Sequence, residues 1–178
     1  DRNGNKTEYG YDASDNLISV TNTEGDVYRY TYDETYELIK ITDANGNETN
    51  YEYDENGRLI KIINALGYAY SYNYDENGYQ TGYSDYSGKT TTYEYDENKR
   101  LLAIYDDDGL TSFEYDEIGR IIKVTDANGV ISYNYDAYSR LSSKSTYDYG
   151  TISYEYNTSG EISSVTISND DKILGTTT

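Results

Sequence analysis

The chain has 178 residues and a net charge of −19, with no Cys, His, Met, Trp or Pro but 26 Tyr. The missing Cys removes disulfides and thiolate chemistry, and the missing His removes the usual general base and the commonest metal ligand. Acids spread along the whole length argue against nucleic acid, heparin-like sugars and anionic membranes as partners, and no apolar run approaches the ~18 residues of a membrane helix.

Read from its start, the chain meets Tyr11-Asp12 and then meets the same dipeptide every 20 or 21 residues: Tyr32-Asp33, Tyr53-Asp54, Tyr74-Asp75, Tyr95-Asp96, Tyr115-Asp116 and Tyr135-Asp136. An eighth copy, Tyr156-Asn157, keeps the Tyr and loses the acid. A fixed period of this length marks a repeat architecture. Other phases agree with it. An aromatic stands two residues before each Tyr, from Tyr9 and Tyr30 through Phe113 to Tyr154. An apolar residue stands six after it, from Leu17 to Ile162, with Gln80 as the exception. A β-branched or aromatic residue stands nine after, with Lys144 as the exception, and a Gly fourteen after, in phase with Gly4. The absence of Met and a beginning in mid-repeat lead to the expectation of a segment from a longer chain.

The third copy shows what each repeat builds. Asn50-Tyr51-Glu52-Tyr53 alternates polar and aromatic, the pattern of a half-buried strand. Asn56-Gly57 supplies the positive φ angles of a tight turn. Leu59-Ile60-Lys61-Ile62-Ile63 reads as the return strand, and Asn64-Ala65-Leu66-Gly67 as the next turn. Turn signals every 10 or 11 residues predict an all-β array of roughly 14–16 antiparallel strands and essentially no helix. The pair seven and nine after the Tyr, such as Ile60 and Ile62, is expected on the tyrosine face, with the intervening Lys outward. Leu59 has the wrong parity for that face. Either a bulge beside the turn redirects it, or both faces are partly covered. Tyr and aliphatic residues at repeating phases are expected to bury a continuous core, and the Asp after each Tyr to cap its turn.

Tyr51-Glu52-Tyr53-Asp54-Glu55-Asn56-Gly57-Arg58-Leu59, and with one conservative change the copy from Phe113 to Ile121, resemble the YD-repeat family, also called Rhs repeats. The resemblance covers residues 1–167 as an array of about eight repeats, with 168–178 as a degenerate or frayed end. The Gly four after the Tyr departs from the pattern in half of the copies, and the mid-repeat Gly slips by one at Gly150. The resemblance implies an all-β spiral or solenoid of hairpins, extracellular or at a cell surface, from a large parent such as a bacterial polymorphic toxin, a wall-associated protein, a toxin-complex shell or a teneurin. It implies a hollow wall around a cargo, with the rest of the parent chain as the partner. The acidic, Pro-containing self-cleavage motif of many bacterial members has no counterpart, because there is no Pro.

No residue pattern points to catalysis, a cofactor or a metal. Paired carboxylates such as Asp106-Asp107-Asp108 recur without singling out one pair for glycosidase chemistry. The turns at 43–46 and 126–129 lack the acid ladder and closing Glu of a calcium loop. The leading expectation is therefore a non-catalytic structural module whose signature residues are the Tyr-Asp pairs and Tyr156. The alternatives are a module binding neutral glycans through tyrosines outside the repeat phase (Tyr68, Tyr70, Tyr79, Tyr86, Tyr105, Tyr138, Tyr147, Tyr149) and a self-association or adhesion module acting through open sheet edges.

Overall fold

The computed structural model describes residues 6–169 and 172–177; Gly4, placed at a mid-repeat phase by the sequence, lies outside them. Among the described residues there are seventeen strands and no helix. The chain divides into two units, Asp1–Thr90 and Thr91–Thr178. The first holds β1 (Glu8–Tyr11), β2 (Leu17–Thr21), β3 (Val27–Tyr32), β4 (Leu38–Thr42), β5 (Glu48–Tyr53), β6 (Leu59–Ile63), β7 (Ala69–Tyr74) and β8 (Gln80–Ser84), each antiparallel to the next.

Strand β9 (Thr90–Tyr95) starts at the boundary and pairs into the second unit. There it is followed by β10 (Leu101–Asp106), β11 (Gly109–Tyr115), β12 (Ile121–Asp126), β13 (Gly129–Tyr135), β14 (Leu141–Thr146), β15 (Gly150–Tyr156), β16 (Ile162–Asn169) and β17 (Lys172–Thr177). These too form an antiparallel meander, with β17 paired to β16 inside the segment that the sequence gives as a degenerate end.

The register settles the parity of Leu59. Tyr53 stands opposite Leu59, Glu52 opposite Lys61 and Tyr51 opposite Ile62, so Ile60 is the extra residue of a bulge beside the turn. The same shift falls just before the repeat Tyr in the equivalent hairpins, as at Thr31/Tyr32, Glu114/Tyr115 and Glu155/Tyr156. An inserted residue flips the alternation, which brings the Leu onto the aromatic face. The pairing seven-with-nine expected from simple alternation is thus replaced by six opposite the Tyr and nine opposite the preceding aromatic. The Lys positions lie on the other face, where Lys61 and Lys123 stand opposite Glu52 and Glu114, with ion-pair distances of 3.9 and 2.7 Å.

The expectation of a continuous buried core does not hold. No large side chain is fully buried among the described residues, and Ala103, 5% exposed, is the only hydrophobic side chain in the buried class. The 20.3 kDa chain exposes 12550 Å², against the roughly 8,800 Å² of a compact monomer of that mass. Each unit is a single layer. Among the described residues strands pack only against their neighbours in the sheet, so no second layer closes over the apolar side chains.

Turn length explains the change of period. In the first unit the mid-repeat turns span five residues, as where Asp43 N donates to Asn47 O at 2.9 Å and Gly46 N to Asp43 O at 3.0 Å. In the second unit Asp106 stands directly opposite Gly109, and Asp126 opposite Gly129. The loop is one residue shorter, and the spacing between Tyr95, Tyr115 and Tyr135 falls from 21 to 20.

The turn after each Tyr-Asp keeps one backbone shape even where Gly is missing. Gly57, Gly78, Gly119 and Gly160 have positive φ, and so do Asp15, Tyr36, Lys99 and Ser139 at the same phase. A side chain in the left-handed region costs about 1–2 kcal/mol, part of which Gly returns through its freer unfolded chain. Tyr36→Gly and Ser139→Gly are each expected to stabilise the protein by about 0.5–1 kcal/mol in urea unfolding. A neutral or destabilising result at both positions would show that the turn geometry is not the cost it is taken to be.

Candidate functional site

The chemistry of the repeat concentrates where one Tyr-Asp turn meets the next. Asp54 is the best-furnished example. Its backbone N–H donates to Arg58 O, and Gly57 N–H donates to Asp54 O, both at 3.0 Å. Its Oδ1 accepts from Asn56 N at 2.9 Å and Arg58 N at 3.0 Å, and its Oδ2 accepts from Arg58 Nε at 2.6 Å. The short acidic side chain thus satisfies the backbone donors of a turn that has no ladder partner for them. Asp12, Asp33, Asp75, Asp96, Asp116 and Asp136 accept from the residue four ahead in the same way, and the amide oxygen of Asn157 does so for Ser159 N and Glu161 N.

These bonds hold the turn carboxylates below their ordinary range. At Asp12 the largest cause is the Asn16 side chain; at Asp33, Asp75 and Asp96 it is the backbone N–H four residues on. At Asp54, Asp116 and Asp136 partial burial pushes upward most strongly, but the hydrogen bonds and charge of the following Arg together outweigh it.

The Tyr reaches backward. The hydroxyl of Tyr53 donates to Leu38 O at 2.9 Å, and Tyr32, Tyr74, Tyr115, Tyr135 and Tyr156 donate to the carbonyls of Leu17, Leu59, Leu101, Ile121 and Leu141 at 2.8–3.0 Å. Each acceptor lies six residues after the Tyr of the preceding repeat, so each bond joins two repeats. The Arg reaches forward. Arg58, Arg100, Arg120 and Arg140 keep their own Asp while their guanidinium carbons lie 5.0, 4.7, 4.4 and 4.2 Å from the ring centroids of Tyr74, Tyr115, Tyr135 and Tyr156. Arg58 Nη1 also donates to Asp75 O at 2.8 Å. A planar guanidinium can bind a carboxylate with its edge and cover an aromatic with its face, which a lysine cannot do equally well.

The signature residues therefore converge at the junctions between repeats rather than within one pocket. Six repeat tyrosines are held by a carbonyl of the preceding repeat, and four of these also lie under an arginine. Among the tyrosines outside the phase, Tyr68, Tyr70 and Tyr86 do gather with Tyr72 and Tyr83, at centroid separations of 5.5–6.2 Å. Tyr147 and Tyr149 stand 84% and 80% exposed on their own turn, and Tyr105 bonds Glu94 at 3.3 Å. The turn acids Asp43 and Asp126 spend Oδ1 on backbone donors of their own loops. Sequence reasoning missed the Arg. Its signal was present: four arginines share one phase, each four residues after an Asp and just before the apolar position.

A hairpin array whose side-chain chemistry is spent on joining its own units defines a structural repeat module. The chain belongs to the RHS Repeat family: its model matches residues 1–26, 11–48, 37–69, 53–85, 74–111 and 115–152. No curated protein shows a significant sequence match. Among solved structures, the fold is similar to the TcdB2-TccC3 crystal structure, with a TM-score of 0.72 at 18% identity over 96% of this chain. It is similar to TcdB2-TccC3 without its hypervariable C-terminal region, with a TM-score of 0.72 at 17% identity over 96%. It is also similar to a Tc holotoxin pore of Photorhabdus luminescens, with a TM-score of 0.67 at 17% identity over 93%. The chain spans 12% of each of those proteins.

Two predictions come from the junction. Tyr135→Phe removes a hydrogen bond and leaves the Ile121 carbonyl without it, so a loss of about 1 kcal/mol is expected in equilibrium unfolding. A double-mutant cycle of Arg120→Ala with Tyr135→Leu should return a coupling of about 0.5–1 kcal/mol; additive effects would mean that the ring contact contributes nothing. The depressed carboxyls set the acid limb. Stability from a lowered Asp is present above its unfolded pKa, about 3.9, and is lost as pH falls through the still lower folded value. The melting temperature is therefore expected to fall below about pH 4, and Asp116→Asn should shrink that fall. An unchanged acid limb in the variant would contradict the assignment.

Proposed function

We propose that this chain is a wall segment of a larger secreted or surface protein, a non-catalytic stretch of β-spiral shell or stalk whose partner is the rest of its own parent chain. The observation that carries the reading is the interlock between repeats. Six of the signature tyrosines bond one repeat to the one before it, while the signature acids fix the turns that aim these contacts, which suits a surface built to carry load along the array. The likeness to TcdB2-TccC3 and Tc holotoxin chains, of which this chain spans 12%, supports a parent of toxin-complex or related type, with the repeats enclosing other segments. The ordering of the repeats as one layer also suits a wall better than a globular receptor, because a wall needs area more than it needs a core.

The test uses the parent protein. Arg120→Ala combined with Tyr135→Phe is expected to loosen the wall and make segments beyond the repeats susceptible to a protease that spares them in the unaltered protein. Equal cleavage in both proteins would contradict the wall role, as would an enzymatic activity retained by the isolated repeats.

A further inference from the structure

At each arginine junction the guanidinium sits between the Asp of its own turn and the ring of the next Tyr, and at Arg58 and Arg100 it also bonds the backbone beyond. Arg58 lies 2.6 Å from Asp54, 5.0 Å from the Tyr74 centroid and 2.8 Å from Asp75 O. Its Nη1 also passes over Gly78, 3.8 Å from where a Cβ would stand, as Arg100 passes Gly119 at 3.8 Å and Arg140 passes Gly160 at 3.9 Å. The junction from Tyr32 to Tyr53 has the same frame. Asp33 caps its turn, Tyr53 is anchored to Leu38 O, and Gly57 follows. The residue in the arginine's place is Glu37, and its carboxylate lies against Gly57.

A groove of about 650 Å³ opens there, lined by Asp33, Glu37, Tyr51, Tyr53, Asp54 and Gly57 among others, and none of its lining residues is basic. The corresponding groove at the Arg140 junction is smaller, about 520 Å³, and includes the arginine itself. Burial and the nearby Glu37, Tyr51 and Asp33 push the Tyr53 hydroxyl above its ordinary range. The frame that surrounds a guanidinium at four other junctions thus carries a further acid here, and no basic residue lines it.

We propose that the groove over Tyr53 is a docking site for an arginine side chain borne by a basic peptide segment of a partner. The four internal arginines show that the same ring and carboxylate frame accepts a guanidinium, and a carboxylate at position 37 adds the second acid that a bidentate fork matches. A second copy of this chain is a poor occupant, since two bodies of net charge −19 repel.

The probe is a short glycine-flanked peptide with two arginines, titrated into the isotopically labelled protein and followed at the Tyr53 ring and the Glu37 carboxyl by NMR. The control is the same peptide with citrulline, which keeps the shape and loses the charge. Saturable shifts confined to the groove are expected with arginine and not with citrulline, and they should weaken as salt is added. Glu37→Arg places the protein's own guanidinium in the site and should weaken binding about tenfold; Glu37→Gln should weaken it less and leaves the backbone undisturbed. The proposal is overturned by equal shifts with citrulline, by undiminished binding to both variants, or by shifts spread evenly over all the acidic turns.

Discussion

A tyrosine hydroxyl reaching back to a carbonyl of the preceding repeat is the contact on which the rest of this structure depends. A sheet one layer thick cannot bury its side chains, and here almost none is buried. Area removed from water therefore supplies less than it would in a two-layered domain. What remains is the backbone ladder and whatever joins one hairpin to the next. The Tyr supplies the join: it stands in register with the aliphatic residue of its own hairpin, as Tyr53 does with Leu59, and its hydroxyl satisfies a carbonyl of the preceding repeat, as Tyr53 does for Leu38. The Asp that follows fixes the turn, and the fixed turn aims the Arg at the next ring. Remove the capped turn and the guanidinium loses its position.

The same logic explains what the repeats tolerate. Position four after the Tyr accepts Asp, Tyr, Lys or Ser in place of Gly, all with φ near +65°, because the Asp cap and the turn hydrogen bonds hold the backbone regardless. Asn157 replaces the acid without changing the turn, since an amide oxygen accepts from Ser159 and Glu161 just as a carboxylate would. The Arg varies most freely. Asn16 turns its amide back onto Asp12, and Glu37 lies over the next Gly. The junctions are consequently unequal. Three consecutive arginine junctions fall in the second unit, and one falls in the first.

Much of this was legible in the residues. The period, the strand and turn alternation and the Asp cap follow from spacing, from Asn-Gly chemistry and from the preference of short acids for turns. The bulge was legible as one of two options at Leu59, and only the register of Tyr53 with Leu59 chooses between them. The missing core was not legible, because a Tyr-rich alternating pattern reads the same whether a second layer covers it or not. The partner of the Tyr hydroxyl was also hidden: a backbone carbonyl leaves no mark on a sequence. The arginine did leave a mark, but a recurring Arg beside a recurring Asp reads as a local ion pair until the next repeat's ring is placed above it.

The account stands on coupling between neighbouring repeats, so the most direct measurement is residue-resolved native-state hydrogen exchange in the Arg120→Ala, Tyr135→Phe protein. Loss of protection is expected in β11 and β12 together with β13 and β14, on both sides of the altered junction. Protection lost only at the altered residues, with both flanking hairpins unchanged, would mean that the repeats stand independently and that the interlock is ornament rather than structure.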